Sequence, residues 1–448
     1  MGGDSAGSAR RPAINPKYVF PVLRQLARRD WSSRLLTRAM APFNPFDPRR
    51  YVDPYPVYDE VRRHGSVYHH RRLDGWIITG FTEAEEALRG PVSVDRRELM
   101  EELWPYRDVS SGSMDIFNSL LLTLDPPNHT RLRRLVSRTF TPRAVAGMAP
   151  AIAEVADGLL DEMAAVGRSG RSVDAMAGFA SRLPIYVIGE LLGLPREQWP
   201  RLKELSDEGA KFVDPITAFQ PAEMDAAIAE IVSILDVEIA ARRQAPKDDL
   251  LSSLVAVEED GDRLSTVELH SMVILLMVAG HETTTGLLGN SLVHLDRDRR
   301  SRDRLATTPE LVPNAVEELL RYDSPVQATD RIAVEDMEIG GVPIPAGSGL
   351  TILLGAGNRD PQMFERPNEL RLDRSDARSL SFGHGIHHCV GAALARLEVE
   401  VALPLFLKRF PDHRVVGDEL IWKRSITLRG PARLPIELEP VAARLPAH

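Results

Sequence analysis

Cysteine is almost missing from this chain: its 448 residues include one, Cys389. A lone thiol forms no internal disulfide, which excludes a disulfide-stapled secreted scaffold. It also excludes a zinc site built from cysteine pairs. No apolar run approaches the ~20 residues that a membrane helix needs; the longest clear one covers residues 272–280. Positive charge is not in excess. Lys and Arg number 55 against 64 Asp and Glu, and the net charge of −9 argues against nonspecific nucleic-acid binding. The start lacks the form of a signal peptide; residues 1–15 are rich in Gly, Ser, Ala and Arg and read as disordered. No flavin or iron–sulfur motif is present, so any electrons the chain uses come from outside.

What remains is an ordinary globular composition, 43% hydrophobic and 27% charged, in a chain long enough for a very large core. Length alone suggests about three domains. Residues 17–40 are basic and partly apolar, which suits either a membrane surface or an arm packed on the body; the packed arm is expected. Periodicity places helices at about 47–64 (after a turn), 82–89, 130–139, 150–165, 179–192, 197–212, 222–243 and 311–322. Ser265-Thr266-Val267-Glu268 is a capping box and opens the longest helix, to about 296. Residues 69–79, 331–354 and 415–438 read as short strands. The fold class is therefore mainly α with small β-sheets. Residues 90–122 read as a long irregular stretch, of the kind that often serves as a lid.

Cys389 sits in Phe382-Gly383-His384-Gly385-Ile386-His387-His388-Cys389-Val390-Gly391. By itself such a cysteine is either an inert core residue or a reactive or ligating one. The glycines let the backbone pass close to something flat. An apolar helical run begins just after it, and a helix N-terminus favours a thiolate. A zinc cluster of His384, His387, His388 and Cys389 is the competing reading, but it lacks a distant second ligand pair. A second motif, Ala279-Gly280-His281-Glu282-Thr283-Thr284-Thr285, follows the apolar run of the long helix. Burying Glu282 there is costly unless it is paired or wet, which marks it as a functional candidate. Thr283 can donate to the carbonyl of Ala279, opening the helix locally. His281-Glu282 does not begin a zinc-protease motif, because Thr285 stands where the second histidine belongs.

The cysteine segment resembles the haem-ligand loop of the cytochrome P450 family, F-G-x-G-x-[HR]-x-C-x-G, at every fixed position. The second motif resembles that family's acid–alcohol pair. The resemblance runs from about 45 to 440, which implies one domain over 45–440 behind an N-terminal extension, 1–44. It implies the triangular helical fold of the family, with haem b between the long helix and the cysteine helix. Cys389 would be the iron ligand, with Phe382, Gly383, Gly391 and Ala279 against the cofactor. His129, Arg133, Arg331 and His387 match propionate contacts. Glu282 would bring protons from solvent and Thr283 would position oxygen. Glu318 and Arg321 match a buried structural E-x-x-R, with Arg371 or Arg374 as third partner.

Leu275, Val278, Val326, Gln327, Thr427 and Leu428 would face a largely apolar substrate, with Gln327 and Thr427 able to orient a polar group. Segments 98–119 and 212–221 would admit it. Trp104 and Tyr106 could line a pocket; packing is the preferred reading. Arg131, Arg133, Arg134 and Arg396 suit docking of an acidic ferredoxin or flavodoxin, served by its own reductase. The implied activity is monooxygenation of a small molecule by O2, hydroxylation or epoxidation, in a monomeric cytoplasmic enzyme without nucleic acid or transmembrane segment. A peroxide-driven peroxygenase and a non-catalytic haem sensor are the alternatives.

Overall fold

A computed structural model describes residues 40–95, 109–211, 221–259, 262–417 and 420–438, apart from positions 46, 139 and 169–171. Most of the N-terminal extension, Trp104, Tyr106, residues 98–108 of the first expected lid segment and 212–220 of the second lie outside the described residues.

The long helix, Thr266–Arg297, is the axis of the helical part. Its capping box forms: Glu268 N–H donates to Ser265 Oγ at 3.2 Å and Ser265 N–H to Glu268 Oε2 at 2.8 Å. Two orphan donors of the first turn are thereby satisfied. Apolar side chains bury on all sides of this helix rather than along one stripe, as expected of a helix surrounded by others. Leu183–Leu191, Trp199–Ala210 and Ala392–Arg409 pack against it. By length and composition it could cross a bilayer, which a search for unbroken apolar runs misses; 72% of its apolar window is covered by protein. It is a core helix.

Ala392–Arg409, the helix after the cysteine, packs on Ala149–Gly167, Val312–Tyr322 and the long helix. These helices share one apolar cluster that includes Leu160, Phe179, Leu288, Leu319, Leu403 and Phe406.

The largest sheet has five strands, in the order Val67–His70, Gly75–Ile78, Gly349–Ile352, Thr329–Ala333 and Val92–Ser93. Gly75–Ile78 and Gly349–Ile352 are parallel; the other neighbours are antiparallel. The sheet carries its own apolar cluster, with Ile78, Phe81, Leu350 and Phe364. The C-terminal segment supplies a three-stranded sheet with Val173–Asp174 and a hairpin of Ile421–Trp422 with Pro431–Arg433. A mainly helical chain with small sheets is thus what forms.

Among the described residues, three helices of seven residues or more escape the periodicity reading: Ser111–Asn118, Leu250–Ala256 and Arg299–Thr307. All three start at side-chain caps, Ser110, Asp249 and Asp298. Arg299–Thr307 is so polar that only Ser301, Arg302 and Leu305 bury, too few to show a helical period.

Candidate active site

The cysteine loop is shaped by glycine. Gly383 and Gly385 hold φ of 67° and 70°, where a side chain is strained. A Cβ on Gly385 would also fall 2.4 Å from the carbonyl oxygen of Leu88. Cys389 N–H donates to Phe382 O at 2.9 Å, closing the loop. Arg396 lies over the Phe382 ring at 4.3 Å. The helix Ala392–Arg409 starts at Gly391, and the backbone N–H groups of Gly391 and Ala392 point at the sulfur.

Burial pushes the Cys389 thiol up; those N–H groups, Arg133 and Arg396 oppose it. Cys389 is nonetheless exposed by surface area. Surrounded by protein yet reachable, the sulfur looks into an interior space. An inert core cysteine is surrounded but not reachable. The zinc reading also falls, because no group of three His, Cys, Asp or Glu among the described residues is placed to hold a metal. His384 turns instead to Glu85 at 3.2 Å and Arg89 at 3.2 Å.

Four polar side chains converge on one side of the loop, Arg133 among them beside the sulfur. His129 and Arg133 come from the helix Asn128–Ser137, Arg331 from the strand Thr329–Ala333, and His387 from the loop. The His129 and His387 rings are 4.3 Å apart. Burial, then His129 and Arg331, hold His387 down at about 4. Burial and Arg133 lower His129. Both ring nitrogens of His129 and Nε2 of His387 are buried without a hydrogen-bond partner. Such orphans cost about 1–3 kcal/mol each, and in a native site they call for an acceptor. An anionic acceptor between two imidazoles and two guanidiniums fits them, and haem carries two carboxylates. A thiol at a helix N-terminus fits its iron. The residues present therefore fit the group that the resemblance implies.

On the long helix, Thr283 Oγ1 donates to Ala279 O at 2.8 Å. Gly280 lets Ile188 pack close, since a Cβ there would fall 2.9 Å from the terminal methyl of Ile188. Glu282 is neither buried alone nor simply wet. Lys423 donates to its Oε2. Against a burial that favours the neutral acid, Lys423 and His281 hold the carboxyl below its ordinary range. Behind the motif Glu398 is fully buried, and burial raises it far above the carboxylate range although Thr284 donates to it. Lys423 and Glu398 lack any motif of their own in sequence; only the fold brings them here.

Glu318 and Arg321 are completely buried and paired at 2.7 and 2.9 Å. Arg374 Nε reaches Glu318 Oε2 at 3.0 Å. Arg371 offers only its backbone N–H, at 2.9 Å. The third partner left open by the sequence is therefore Arg374. From Arg321 the network reaches the cysteine loop: Nη1 donates to Asn358 O at 2.9 Å, Leu380 N–H to Asn358 Oδ1 at 2.7 Å, and Asn358 Nδ2 to Ser381 Oγ at 3.1 Å.

Leu275 and Val278 are almost buried on the long helix, and Val326 bridges Leu428. Gln327 departs from expectation. Tyr58 donates to its Oε1 at 2.9 Å and its Nε2 donates to Ser324 O at 2.8 Å, so its amide is spent inside the protein. Its backbone N–H donates to Thr427 O at 2.7 Å. Gln327 braces the turn. The expected basic face is also weaker than its arginine count. Arg131 pairs with Asp262 and Glu268, and Arg396 with Glu317.

Comparison with known proteins agrees with this geometry. The family model "Cytochrome P450" matches residues 305–413. The 6-deoxyerythronolide B hydroxylase of Saccharopolyspora erythraea is 39% identical over 399 residues, covering 87% of this chain and 97% of its own. The chain belongs to the cytochrome P450 family. The vitamin D(3) 25-hydroxylase of Pseudonocardia autotrophica is 39% identical over 401 residues, 88% of this chain and 96% of its own. The solved structure of the cytochrome P450 PksS of Bacillus subtilis superposes with a TM-score of 0.79 at 36% identity, covering 89% of this chain and all of that one. The expected fold is thus the P450 fold. This P450 is a haem-thiolate monooxygenase with haem b as cofactor, and it uses a small organic substrate, O2 and electrons from a redox partner.

Proposed function

We propose that Cys389 is the thiolate ligand of the haem and that Glu282 and Thr283 manage protons for monooxygenation. The observation that carries this is the meeting of Cys389, under the Gly391 and Ala392 N–H groups, with Arg133, His129, His387 and Arg331. Bound through a thiolate, haem activates dioxygen, because thiolate donation favours O–O cleavage. The chain's residues do the rest. His129, His387, Arg133 and Arg331 hold the two carboxylates. Phe382, Gly383, Gly391 and Ala279 leave room for a flat ring. Thr283, bonded to the Ala279 carbonyl, opens the helical ladder and presents a hydroxyl there. Glu282, partly reachable by solvent, exchanges protons with water.

The substrate is read as largely apolar, from Leu275, Val278, Val326 and Leu428, with Thr427 as a polar contact. Hydroxylation is the favoured reaction, as in the two hydroxylases named above. Residues 45–440 are read as one domain, since one apolar cluster draws on residues from 116 to 436. A cytoplasmic monomer served by a ferredoxin or flavodoxin completes the reading. Docking then rests on the group Arg131, Arg133, Arg134 and Arg396. A peroxygenase or a sensor would need no Glu282–Thr283 pair.

The test is the carbon-monoxide spectrum of the reduced protein. A strongly red-shifted Soret band is expected, and Cys389→Ser should abolish it. Persistence of that band in the variant would sink the ligand assignment.

A further inference from the structure

Arg50 is a buried charge without a counter-charge. It lies on the helix Pro48–Val52 and is only 6% exposed. Its donors reach neutral acceptors alone. Nη1 donates to Pro45 O at 2.8 Å, and Nη2 to the Tyr58 hydroxyl and to Ile426 O, both at 3.4 Å. Nε is buried and has no hydrogen-bond partner. The neighbouring Arg49 takes Asp47 at 2.7 Å and Glu60 at 3.2 Å; among the described residues no carboxylate pairs with Arg50. The rings of Phe43 and Tyr58 lie 4.9 and 5.6 Å from its guanidinium carbon and offset part of the cost. A buried charge nonetheless favours an opposite charge beside it.

A cavity with room for about one water adjoins Arg50, where Pro48–Val52 and Tyr55–Arg62 meet the C-terminal turn at 423–429. Among the described residues its lining holds three cations, Arg50, Lys423 and Arg429, and no carboxylate. Two of these cations are matched elsewhere. Lys423 pairs with Glu282, and Arg429 Nε donates to Asp323 at 2.7 Å. Asp53 acts on Arg429 more weakly, and Arg359 acts on Asp323 in turn. The positive charge of Arg50 is left over. Further donors are also to hand. Ser425 Oγ accepts from the N–H groups of Thr427 at 3.2 Å and Leu428 at 2.7 Å, and its own proton has no partner among the described residues. The Lys423 ammonium carries three protons, of which Glu282 takes one.

We propose that this cavity binds a small monovalent anion, chloride in solution, held by Arg50 Nε together with the Ser425 hydroxyl and the Lys423 ammonium. The room decides the class of ligand: chloride is little larger than water, whereas a carboxylate or a phosphate is too large. The anion neutralises Arg50 and ties the first helices to the turn that carries Thr427 and Leu428. These groups meet only in the folded chain, so the anion binds that state and stabilises it.

Bromide, which scatters anomalously, is the structural probe. In crystals of the haem-loaded enzyme soaked in sodium bromide, an anomalous peak is expected in the cavity, within hydrogen-bond distance of Arg50 Nε. No peak there, or surface peaks from an adventitious ion only, overturns the proposal and leaves the cavity to water. Urea unfolding of the haem-loaded enzyme gives the second reading. Chloride is varied at constant ionic strength against gluconate, which is too large for the cavity. The unfolding equilibrium constant of wild type should fall about tenfold for each tenfold rise in chloride above its Kd. Arg50→Met should lose both the peak and this dependence. Arg49→Met, at the exposed neighbour already paired with Asp47 and Glu60, should keep both. A chloride dependence that is missing from wild type, or that survives in Arg50→Met, overturns the site. If Arg50→Met does not fold, the bromide map of wild type still decides.

Discussion

Thr283 shows what a single side chain does in this P450. Its hydroxyl is tied to Ala279 O at 2.8 Å, so it carries a donor just past the apolar run of the long helix. Alanine would remove the donor and let the helical ladder close, with almost no change in packing. Thr283→Ala should therefore bind haem as wild type does and still consume reducing equivalents. Product per electron should drop by about a hundredfold, the lower end of the range for a lost acid–base group, with hydrogen peroxide rising to match. Peroxide and product measured against reductant consumed decide it; unchanged coupling would remove Thr283 from proton management. Gln327 is the counter-example at the same scale. It stands beside the expected substrate positions in sequence, yet its amide is consumed by Tyr58 and Ser324. Chain position told where the residue lies. Only packing tells which way its amide points.

At the scale of elements, the sequence was most legible where one motif carries its own geometry. The capping box, the cysteine loop and the E-x-x-R helix each formed as spacing requires, since caps, turns and i,i+3 pairs are local. What stayed hidden is the non-local part: Lys423 opposite Glu282, Glu398 behind Thr284, and the choice between Arg371 and Arg374. Those depend on how distant segments fold back, and a period of 3.6 says nothing about that. The Arg374 assignment has a sharp consequence. Arg374→Met would leave the buried Glu318 with one guanidinium instead of two. Removing a partner from a buried ionic network costs about 3–5 kcal/mol. Because Asn358 links that network to Leu380 and Ser381, haem retention should fall with it. Arg371→Met keeps the backbone N–H that Glu318 uses and should change stability by less than about 0.5 kcal/mol. Urea unfolding and haem content of the two variants check both; equal losses would refute the assignment.

Across the whole molecule, one carboxylate joins parts that no local rule connects. Asp323 ends the E-x-x-R helix and is buried. Tyr55, from the first part of the chain, donates to Oδ1 at 2.8 Å. His294, near the end of the long helix, lies 2.8 Å from Oδ2. Arg429, from the C-terminal turn, donates to Oδ1 at 2.7 Å and also reaches the carbonyls of Tyr51 and Val52. Burial alone would favour the neutral acid, but Arg429 and His294 outweigh it and hold Asp323 well below its unfolded value of 3.8. The sign follows from linkage. A carboxyl depressed by folding contributes stability above its unfolded pKa, and the contribution fades as pH falls below 3.8 toward the folded value. Asp323→Asn keeps the shape and removes the charge, leaving Arg429 buried without its anion. At pH 7 the variant should be less stable than wild type by about 3–5 kcal/mol. Below pH 4 the gap should narrow, because wild type then loses what the variant never had. Unfolding free energies of both proteins between pH 3 and pH 7 measure it. A gap that stays constant over that range would show that Asp323 is not the charged tie between the two ends of the chain.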